Sequence, residues 1–553
     1  MRSVVLYGLL LVALACSANA DRPLKPQDIL EIRWATHVTM SPDGSHVAYL
    51  VHEAADASNG ESKRPRSLWV AAADGRLIPR QVARGFNDVS EPHWSPDGAA
   101  LTFLSSGDRP KRQVWCWKRE TQQTHQITKI AHGVVSYRWS PKGDELAYLS
   151  NPTQESGGDP VVVKPANGAN KLFVVSSESG ESRELKVPVE HIVDFVWAPD
   201  AKRFAVLTAA SSDPDEIFER QSLKVFDRQS EQAELLHGNC SDFPGLGWSP
   251  DGYKIAFIEY APKHFAWRLA VIDVVTKEVS YPLNEVSMTP MMDFQWASDS
   301  RHLWVRGVAE TRFQLFKVAI DGSLCELAAK GIHNCYSFDV SRDETRFAFT
   351  CNTPNDPSQV VVTSREHQQD KLLTELNPQI GVISRVTNKQ VAWKNSKDGK
   401  KVFGVLLTPP GFQPGKPGKT VVLLHGGPQG VWWNSWQGQA HSWGQMLATH
   451  GYVVFLPNPR GSQGQGWRFA EGVSRDWGGQ DVQDVLDGID QLVEQNIIDR
   501  DRIGVGGWSY GGFLTASITT QSTQFKAAIV GAGITDLPTY ALTVDEVAWV
   551  RSF

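Results

Sequence analysis

One phrase of about ten residues returns seven times in the first two thirds of this chain. It reads WSPDGAALTFL in its clearest copy, and its copies begin at residues 40, 94, 139, 197, 248, 296 and 340. In most copies an aromatic or apolar residue ends one strand, Ser-Pro-Asp-Gly or a variant makes a tight turn, and a new strand follows. Seven copies, spaced about 50 residues apart, predict a β-propeller with seven four-stranded blades.

The residues after each turn alternate as a strand requires. After the first turn, Val47 and Tyr49 fall on one face, and Ala48 and Leu50 fall on the other. A β-sandwich with accidental repeats does not explain seven turns of nearly the same sequence. A propeller alone is a binding platform and specifies no chemistry, so the function has to come from the rest of the chain.

A different pattern begins after residue 380. Four apolar runs of strand length lie at residues 420–428, 451–462, 502–512 and 525–533. They read as parallel strands buried on both faces, and the stretch 481–496 between them places its apolar residues on one helical face. Strands alternating with helices predict a doubly wound α/β domain. We therefore expect a propeller with an N-terminal lead-in over residues 21–380 and an α/β domain over residues 381–553.

A Gly-Trp-Ser-Tyr-Gly stretch centred on Ser509 joins a predicted strand to a predicted helix. Glycines on both sides allow the chain to turn sharply and to expose the serine hydroxyl above the sheet. A G-x-S-x-G pattern alone occurs often by chance, but here the flanking elements fit. We interpret Ser509 as a nucleophile of an α/β-hydrolase.

The stretch His425-Gly426-Gly427-Pro428 follows an earlier buried strand. Hydrolases of this class use backbone N–H groups at this place to hold the oxyanion of a tetrahedral intermediate. Gly426 and Gly427 are therefore candidate donors, together with the N–H of Tyr510. His425 precedes the serine, whereas the base of this fold follows it, so we expect His425 to shape the oxyanion loop instead.

These motifs, together with the loop of residues 458–469 and the acidic helix start of residues 475–484, closely resemble the prolyl oligopeptidase family of serine peptidases. The resemblance is to its acylaminoacyl-peptidase and dipeptidyl-peptidase-like branch. It implies a seven-bladed propeller capping an α/β-hydrolase domain, and hydrolysis of short peptides through an acyl-enzyme on Ser509. The propeller would exclude large folded substrates.

The resemblance also suggests residues that contact substrate. Trp508 would flank the pocket, with His425 beside it. Some dipeptidyl members anchor the substrate amino group with propeller glutamates, and residues 213–220, read DPDEIFER, offer Glu216 for that role. A solvated acidic loop is the alternative interpretation. Short peptides are the expected partners, no cofactor or metal is implied, and a homo-oligomer is compatible with the sequence.

The family pattern breaks after the nucleophile. All fifteen histidines precede Ser509, and residues 510–553 contain acids only at Asp536, Asp545 and Glu546. The triad Asp and His are therefore absent from these 553 residues, and we expect a C-terminally truncated, inactive form of a full peptidase. The alternatives are an inactive propeller–hydrolase binding protein and an esterase or amidase that uses the same site.

The remaining features concern the cell compartment. Residues 1–20 have a positive start, an apolar run and a small-residue cleavage site, as a signal peptide for export does. The residues before Cys16 fit a lipoprotein signal poorly. Five cysteines remain after residue 20, so at least one is unpaired; a Cys325–Cys335 disulfide and buried free thiols are both open. The net charge of −6 and the lack of a basic run give no support to nucleic-acid binding, and no other segment could cross a membrane.

Overall fold

A computed structural model describes residues 21–55, 64–108, 110–151, 168–240, 245–261, 266–283, 288–328, 334–364, 370–439 and 442–544. The predicted signal peptide, including Cys16, lies outside these residues, as do Asp545 and Glu546. No helix in the described part of the chain is long and apolar enough to span a bilayer.

Seven four-stranded antiparallel sheets follow one another, and each consists of four consecutive strands. The seven-bladed propeller predicted from the repeats is thus confirmed. The first four blades contain β1 (Trp34–Met40), β2 (His46–His52), β3 (Arg66–Ala72), β4 (Arg80–Val82), β5 (Ser90–Trp94), β6 (Ala100–Ser105), β7 (Gln113–Lys118), β8 (Thr124–Gln126), β9 (Ser136–Trp139), β10 (Glu145–Ser150), β11 (Lys171–Ser176), β12 (Ser182–Glu184), β13 (His191–Trp197), β14 (Arg203–Ala209), β15 (Gln221–Asp227) and β16 (Gln232–Cys240). The last three contain β17 (Leu246–Trp248), β18 (Lys254–Ala261), β19 (Ala266–Asp273), β20 (Val279–Ser280), β21 (Thr289–Trp296), β22 (His302–Ala309), β23 (Arg312–Ala319), β24 (Cys325–Leu327), β25 (Asn334–Val340), β26 (Arg346–Asn352), β27 (Gln359–Ser364) and β28 (Lys371–Leu372).

The repeated phrase forms the turn between the first two strands of each blade. In blade 2 the Asp97 carboxylate accepts hydrogen bonds from the Ser95 hydroxyl at 2.5 Å and from the Ala99 amide at 3.0 Å. The Ser95 bond, with help from the backbone, holds the pKa of Asp97 below its ordinary value. Gly98 has φ 70°, a conformation that suits glycine. Trp94 then packs into the apolar core between blades 1 and 2.

The first and last blades meet without exchanging a strand. The Asp339 carboxylate on β25 accepts hydrogen bonds from the Met40 amide at 2.7 Å and the Thr39 hydroxyl at 3.0 Å on β1. The Val38 amide donates to the Ser337 hydroxyl at 3.1 Å. Side chains of blade 7 therefore close the ring by binding the innermost strand of blade 1.

The C-terminal part contains one six-stranded sheet in the order β29-β30-β32-β31-β33-β34. β31 pairs parallel with both of its neighbours, β32 and β33, and β33 pairs parallel with β34. β30 pairs antiparallel with β29 and with β32. Its strands are β29 (Thr387–Lys394), β30 (Lys401–Thr408), β31 (Gly418–Leu424), β32 (Val453–Asn458), β33 (Ile498–Trp508) and β34 (Phe525–Gly531). The α-helices of the described residues are α1 (Pro26–Glu31), α2 (Pro214–Glu219), α3 (Gly444–Thr449), α4 (Trp467–Glu471), α5 (Gln480–Glu494), α6 (Tyr510–Gln521) and α7 (Leu537–Thr543), and a short 3₁₀ helix spans Pro378–Val382. The predicted α/β-hydrolase architecture is present.

Helix α5 packs its apolar face on this sheet. Val482, Val485, Ile489 and Leu492 are buried and belong to the main hydrolase core, as the spacing of apolar residues predicts. On the far side, β34 is an edge strand of the described sheet, and its Ile529 side chain is 61% exposed.

The N-terminal lead-in contacts both blade 1 and the hydrolase domain. On the blade side, the Ala55 amide donates to the Leu30 carbonyl at 2.9 Å. The Arg22 amide donates to the Val382 carbonyl at 3.0 Å, and the Leu24 amide donates to the Thr449 hydroxyl at 3.0 Å. Leu24 also packs with Trp436 in a small apolar cluster. The lead-in thus ties the beginning of the described chain to helix α3.

A turn of blade 6, residues 309–312, makes the most direct contact between the two domains. The Glu310 amide donates to the Gly464 carbonyl at 2.6 Å, and the Asn434 amide donates to the Thr311 carbonyl at 2.8 Å. The Thr311 hydroxyl donates to the Gln390 side-chain oxygen at 2.5 Å. This turn holds two hydrolase loops that follow the sheet strands β31 and β32.

Candidate active site

Ser509 lies at a sharp turn between the end of β33 and the start of α6. It has φ 58° and ψ −121°, a backbone conformation that costs energy for a residue other than glycine. The Ser509 amide donates to the Gly531 carbonyl at 3.0 Å, and its carbonyl accepts from the Phe513 amide at 3.0 Å. These contacts hold the strained turn in place. The geometry is that of a nucleophile elbow, which exposes the side chain of its central residue.

The glycines beside Ser509 are required by close packing of backbones. A Cβ atom on Gly507 would lie 2.4 Å from the Gly511 carbonyl oxygen. A Cβ atom on Gly511 would lie 2.2 Å from the carbonyl oxygen of Leu424, the last residue of β31. Only glycine fits either position, and the tight approach brings helix α6 directly above the end of β31.

This approach places the predicted oxyanion loop beside the serine. A Cβ atom on Gly426 would lie 3.5 Å from Ser509 Cβ and 4.0 Å from Ser509 Oγ. Gly427 has φ 133°, a conformation that side chains rarely adopt. The Tyr510 N–H begins helix α6, where the first amides have no partner inside the helix. The structure therefore gathers Gly426, Tyr510 and Ser509 at one point.

His425 is buried, and the contacts of its ring nitrogens do not suit a catalytic base. Its Nε2 lies 2.8 Å from the Ser462 hydroxyl and its Nδ1 lies 2.8 Å from the Gly426 carbonyl oxygen. Because a carbonyl only accepts, the Nδ1 carries a proton. The Ser462 hydroxyl beside Nε2 also donates to the Pro459 carbonyl at 2.6 Å. Burial lowers the pKa of His425 to about 4, so the ring is neutral at pH 7. Both ring nitrogens serve to fix the loop that carries Gly426.

Tyr510 is anchored through its side chain. Its hydroxyl donates to Asp481 Oδ2 at 2.5 Å, and its ring packs edge-on against Trp477 with centroids 4.8 Å apart. Asp481 is fully buried and also accepts from the Gly478 amide at 3.0 Å and the Val482 amide at 2.8 Å. Burial raises the pKa of Asp481 despite these donors. The sequence indicated Asp481 only as a favourable helix start, so its contact with Tyr510 was missed.

A second buried acid fixes the loop after β32. Arg460 is 4% exposed and donates to Asp484 through Nε at 2.9 Å and Nη2 at 2.8 Å. Its Nη1 donates to Asp398 Oδ2 at 3.0 Å. These carboxylates raise the pKa of Arg460 even though burial opposes its charge. The sequence pattern of this loop indicated no role for Arg460; an arginine among glycines, followed by a helix with acids, was the available signal.

The two predicted substrate contacts lie in different settings. Trp508 is 62% exposed, and its ring covers Gly531, where a Cβ atom would come within 2.5 Å of it. Glu216 lies on helix α2, inserted in blade 4 between β14 and β15, and forms an ion pair with Arg220 at 3.0 Å. Phe218 of the same helix packs into the main hydrolase core. Helix α2 therefore reaches the hydrolase domain, but the described contact of Glu216 is with its own helix end.

The Ser509 hydroxyl has no imidazole or carboxylate hydrogen-bond partner among the described residues. The described part of the chain also holds no cluster of three or more metal-ligating side chains. What the site supplies is a half-buried serine hydroxyl on a strained elbow, with a fixed glycine loop and the first N–H of helix α6 beside it.

A cavity of about 620 Å³ occupies the axis of the propeller. Innermost strands of several blades line it, and its ionisable side chains are His37, Glu91, His93, Arg138, Asp293, Arg306 and Asp339. Arg306 and Asp293 form an ion pair there at 2.8 Å.

Part of the C-terminal region matches a known protein family. Residues 440–552, which include the elbow, match the prolyl oligopeptidase family. This confirms the resemblance inferred from the motifs, and by family the region is that of a serine hydrolase.

Similar chains extend the match over both domains. The uncharacterized peptidase YuxL of Bacillus subtilis is 25% identical over 92% of this chain and 82% of its own length. Dipeptidyl-peptidase 5 of Porphyromonas gingivalis is 22% identical over 99% of this chain and 84% of its own. Among solved structures, an acylaminoacyl peptidase of Pyrococcus horikoshii has a TM-score of 0.75 and 21% identity, covering 95% of this chain and 81% of its own. The last likeness supports the fold.

Proposed function

We propose that this chain, in which residues 440–552 match the prolyl oligopeptidase family, is a serine peptidase that cleaves short peptides through an acyl-enzyme on Ser509. The observation that carries the proposal is the elbow itself. A strained serine stands beside Gly426 and the first amide of α6, and both are fixed by buried contacts.

The chemistry assigned to each group follows from its position. The Ser509 hydroxyl attacks the scissile carbonyl and forms a tetrahedral intermediate with a negative oxygen. The N–H of Tyr510 and an N–H of the Gly426-Gly427 loop stabilise that oxygen; in such sites the loss of one donor typically slows turnover by about 100- to 1000-fold. Collapse of the intermediate releases the amine product and leaves an ester on Ser509, which water then hydrolyses.

Proton transfer is the step that residues 510–553 do not supply. A serine hydroxyl is a weak nucleophile until a base takes its proton. The ring nitrogens of His425 are both engaged, and all fifteen histidines of the sequence precede Ser509. We therefore infer that hydrolysis at Ser509 requires an imidazole other than that of His425.

Short peptides with a free or acylated N-terminus are the proposed substrates. The relatives named dipeptidyl-peptidase and acylaminoacyl peptidase both carry activities directed at chain ends. The axial cavity has a volume of about 620 Å³ and several ionisable side chains in its lining, a size that suits a short peptide and not a folded protein. We propose that the propeller limits substrate size in this way.

Labelling with a fluorophosphonate probe tests the nucleophile. We expect slow labelling of the 553-residue chain at Ser509 and faster labelling when imidazole is added, because a base from solution can take the hydroxyl proton. Ser509→Ala is the matched control and is expected to remain unlabelled with imidazole. Equal labelling of that variant, or labelling at another residue, overturns the assignment.

Substrate class is tested separately. Imidazole-assisted hydrolysis of a dipeptide anilide with a free amino group is compared with that of an acylated amino-acid anilide and of a simple ester. Preference for an anilide supports a peptidase, and a reaction confined to the ester indicates an esterase instead. Full activity of Glu216→Ala toward the free dipeptide substrate would remove Glu216 as an amino-group anchor.

A further inference from the structure

Two cysteines lie directly opposite each other on neighbouring strands of blade 7. Cys335 on β25 and Cys351 on β26 are register partners in an antiparallel pair. Opposite residues of such a pair project to the same face, with Cα atoms about 4.5 or about 5.5 Å apart. A disulfide needs a Cα separation of about 4.4–6.8 Å. Both residues are free thiols in the structure, and the strand register accommodates a bond between them.

Among the four cysteines whose side chains are described, Cys335 and Cys351 are the two that stand opposite each other. Cys335 is fully buried in the apolar core of blade 7, and Cys351 packs against the same core. Cys116 stands opposite Thr102 and His125, and Cys325 stands opposite Val318 in blade 6. The Cys325–Cys335 pairing left open by the sequence would join two different blades, whereas Cys335 and Cys351 already face each other.

Cys351 is the thiol that solution can reach first. It lines a cavity of about 360 Å³ between blade 7 and the hydrolase domain, with Trp436 and Gln445 among the hydrolase residues there. The Cys335 thiol lies behind it and donates to the Ser337 carbonyl at 3.4 Å. An attacking thiol at the cavity and a resolving thiol behind it are the two parts that disulfide exchange requires.

We propose that Cys335 and Cys351 form a disulfide by exchange with a low-molecular-weight disulfide such as oxidised glutathione. The Cys351 thiolate attacks one glutathione sulfur, which forms a mixed disulfide and releases one glutathione thiolate. The Cys335 thiolate then attacks the Cys351 sulfur and releases the second. The protons of the two protein thiols end on the two released glutathione thiols, so the protein is oxidised by two electrons and one glutathione disulfide is reduced.

The bond would stiffen the end of blade 7 that contacts the hydrolase domain. Asn334, next to Cys335, donates to the Asn434 carbonyl at 2.7 Å. The Tyr336 hydroxyl accepts from the Trp433 indole at 3.0 Å and from the Asn352 amide at 2.6 Å. The β25 end that the disulfide would join thus contacts the hydrolase domain directly, and the β26 end contacts it through Tyr336. Burial raises the pKa of Cys351 to about 12, so exchange in the folded protein is slow and accelerates with pH.

The test is a peptide map of the whole 553-residue chain. Reduced protein is incubated with excess oxidised glutathione, alkylated and digested with trypsin, which separates residues 331–342 from residues 347–365. We expect these peptides to appear joined, with the loss of two hydrogens, at a rate that rises about tenfold per pH unit. Alkylated thiols at both positions, a glutathione adduct that never resolves, or a bond to Cys325 overturns the proposal.

Two variants provide matched controls. Cys351→Ser is expected to abolish the joined peptides, and Cys325→Ser, which removes a partly buried thiol with no cysteine opposite, is expected to leave them unchanged. The urea midpoint of the oxidised wild-type chain is expected to exceed that of the reduced chain. A lowered midpoint contradicts the inferred fit of the bond to the strand register, and both measurements on wild-type protein stand even where a variant fails to fold.

Discussion

At the scale of single residues, the position of Tyr510 depends on one buried carboxylate. Asp481 accepts three hydrogen bonds, from the Tyr510 hydroxyl and from the amides of Gly478 and Val482. An asparagine at position 481 keeps one acceptor oxygen, but the NH₂ group that replaces the other oxygen would face an N–H donor and could not accept from it. We expect Asp481→Asn to lower the free energy of unfolding by about 1–3 kcal/mol, because a buried donor loses its acceptor. Urea denaturation measures the change.

The same substitution is expected to affect the elbow, since Tyr510 carries the proposed oxyanion N–H. Imidazole-assisted labelling of Ser509 should fall in Asp481→Asn, and Tyr510→Phe should share part of the loss. The control is Asp490→Asn on the same helix, whose carboxylate is 49% exposed and pairs with Arg500. Asp490→Asn should lower the free energy of unfolding by less than about 1 kcal/mol. Equal effects of the two substitutions would contradict a positioning role for Asp481.

Sequence patterns predicted local structure at this site better than contacts between distant residues. The motif at Ser509 and the glycines of residues 425–428 were visible because each is a short, contiguous pattern. The bonds from Asp481 to Tyr510 and from Arg460 to Asp484 were not, because each joins segments that meet only after β31, β32 and β33 have paired. Buried polar partners of this kind depend on the order of strands in the sheet.

At the scale of elements, the propeller closes through a carboxylate that burial disfavours. Asp339 joins β25 to β1, and burial raises its pKa to about 6 from an ordinary value of 3.8. An acid with a raised pKa in the folded state favours folding below about pH 4, and this contribution is lost as the pH rises through about 6. The rise corresponds to at most about 3 kcal/mol. The seam should therefore weaken between about pH 4 and about pH 7.

Asp339→Asn removes this ionisation and keeps an acceptor oxygen for the Met40 amide. We expect the free energy of unfolding of the variant, relative to wild type, to increase between about pH 4 and about pH 7. Asp343→Asn is the control in the same blade: the Ser341 hydroxyl and other donors lower the pKa of Asp343, so its effect relative to wild type should stay nearly constant between about pH 4 and about pH 7 and change only below about pH 4. A difference that stays constant for Asp339→Asn across this range is the contrary result.

The repeats predicted the blades well because each copy contains its own turn, its own aromatic residue and its own alternating strand. They did not indicate how the ring closes. The Asp339 contact with β1 spans about 300 residues, and nothing in the last copy, VSRDETRFAF, distinguishes its preceding aspartate from an exposed one. Closure is a property of the ring rather than of any repeat.

At the scale of the whole molecule, one propeller turn connects the two domains to the candidate site. Residues 309–312 bind the loop containing Gly464, and the Ser462 hydroxyl on that loop contacts His425 at 2.8 Å. Thr311 is fully buried, and its hydroxyl donates to Gln390 on the first strand of the hydrolase sheet. This chain of contacts leads us to expect that a change at Thr311 is felt in the hydrolase loops.

Thr311→Val keeps the side-chain shape and removes the hydroxyl, which leaves the Gln390 oxygen without this donor. We expect a loss of about 1–3 kcal/mol and faster hydrogen–deuterium exchange of the amides in residues 431–437, where Asn434 donates to the Thr311 carbonyl. Thr208→Val is the matched control, because Thr208 is also buried and donates to Ser222 inside blade 4. Exchange in residues 431–437 should be unchanged there. Equal acceleration of exchange in that segment by both variants would indicate a general loss of stability. The turn of blade 6 would then not be what holds the loop.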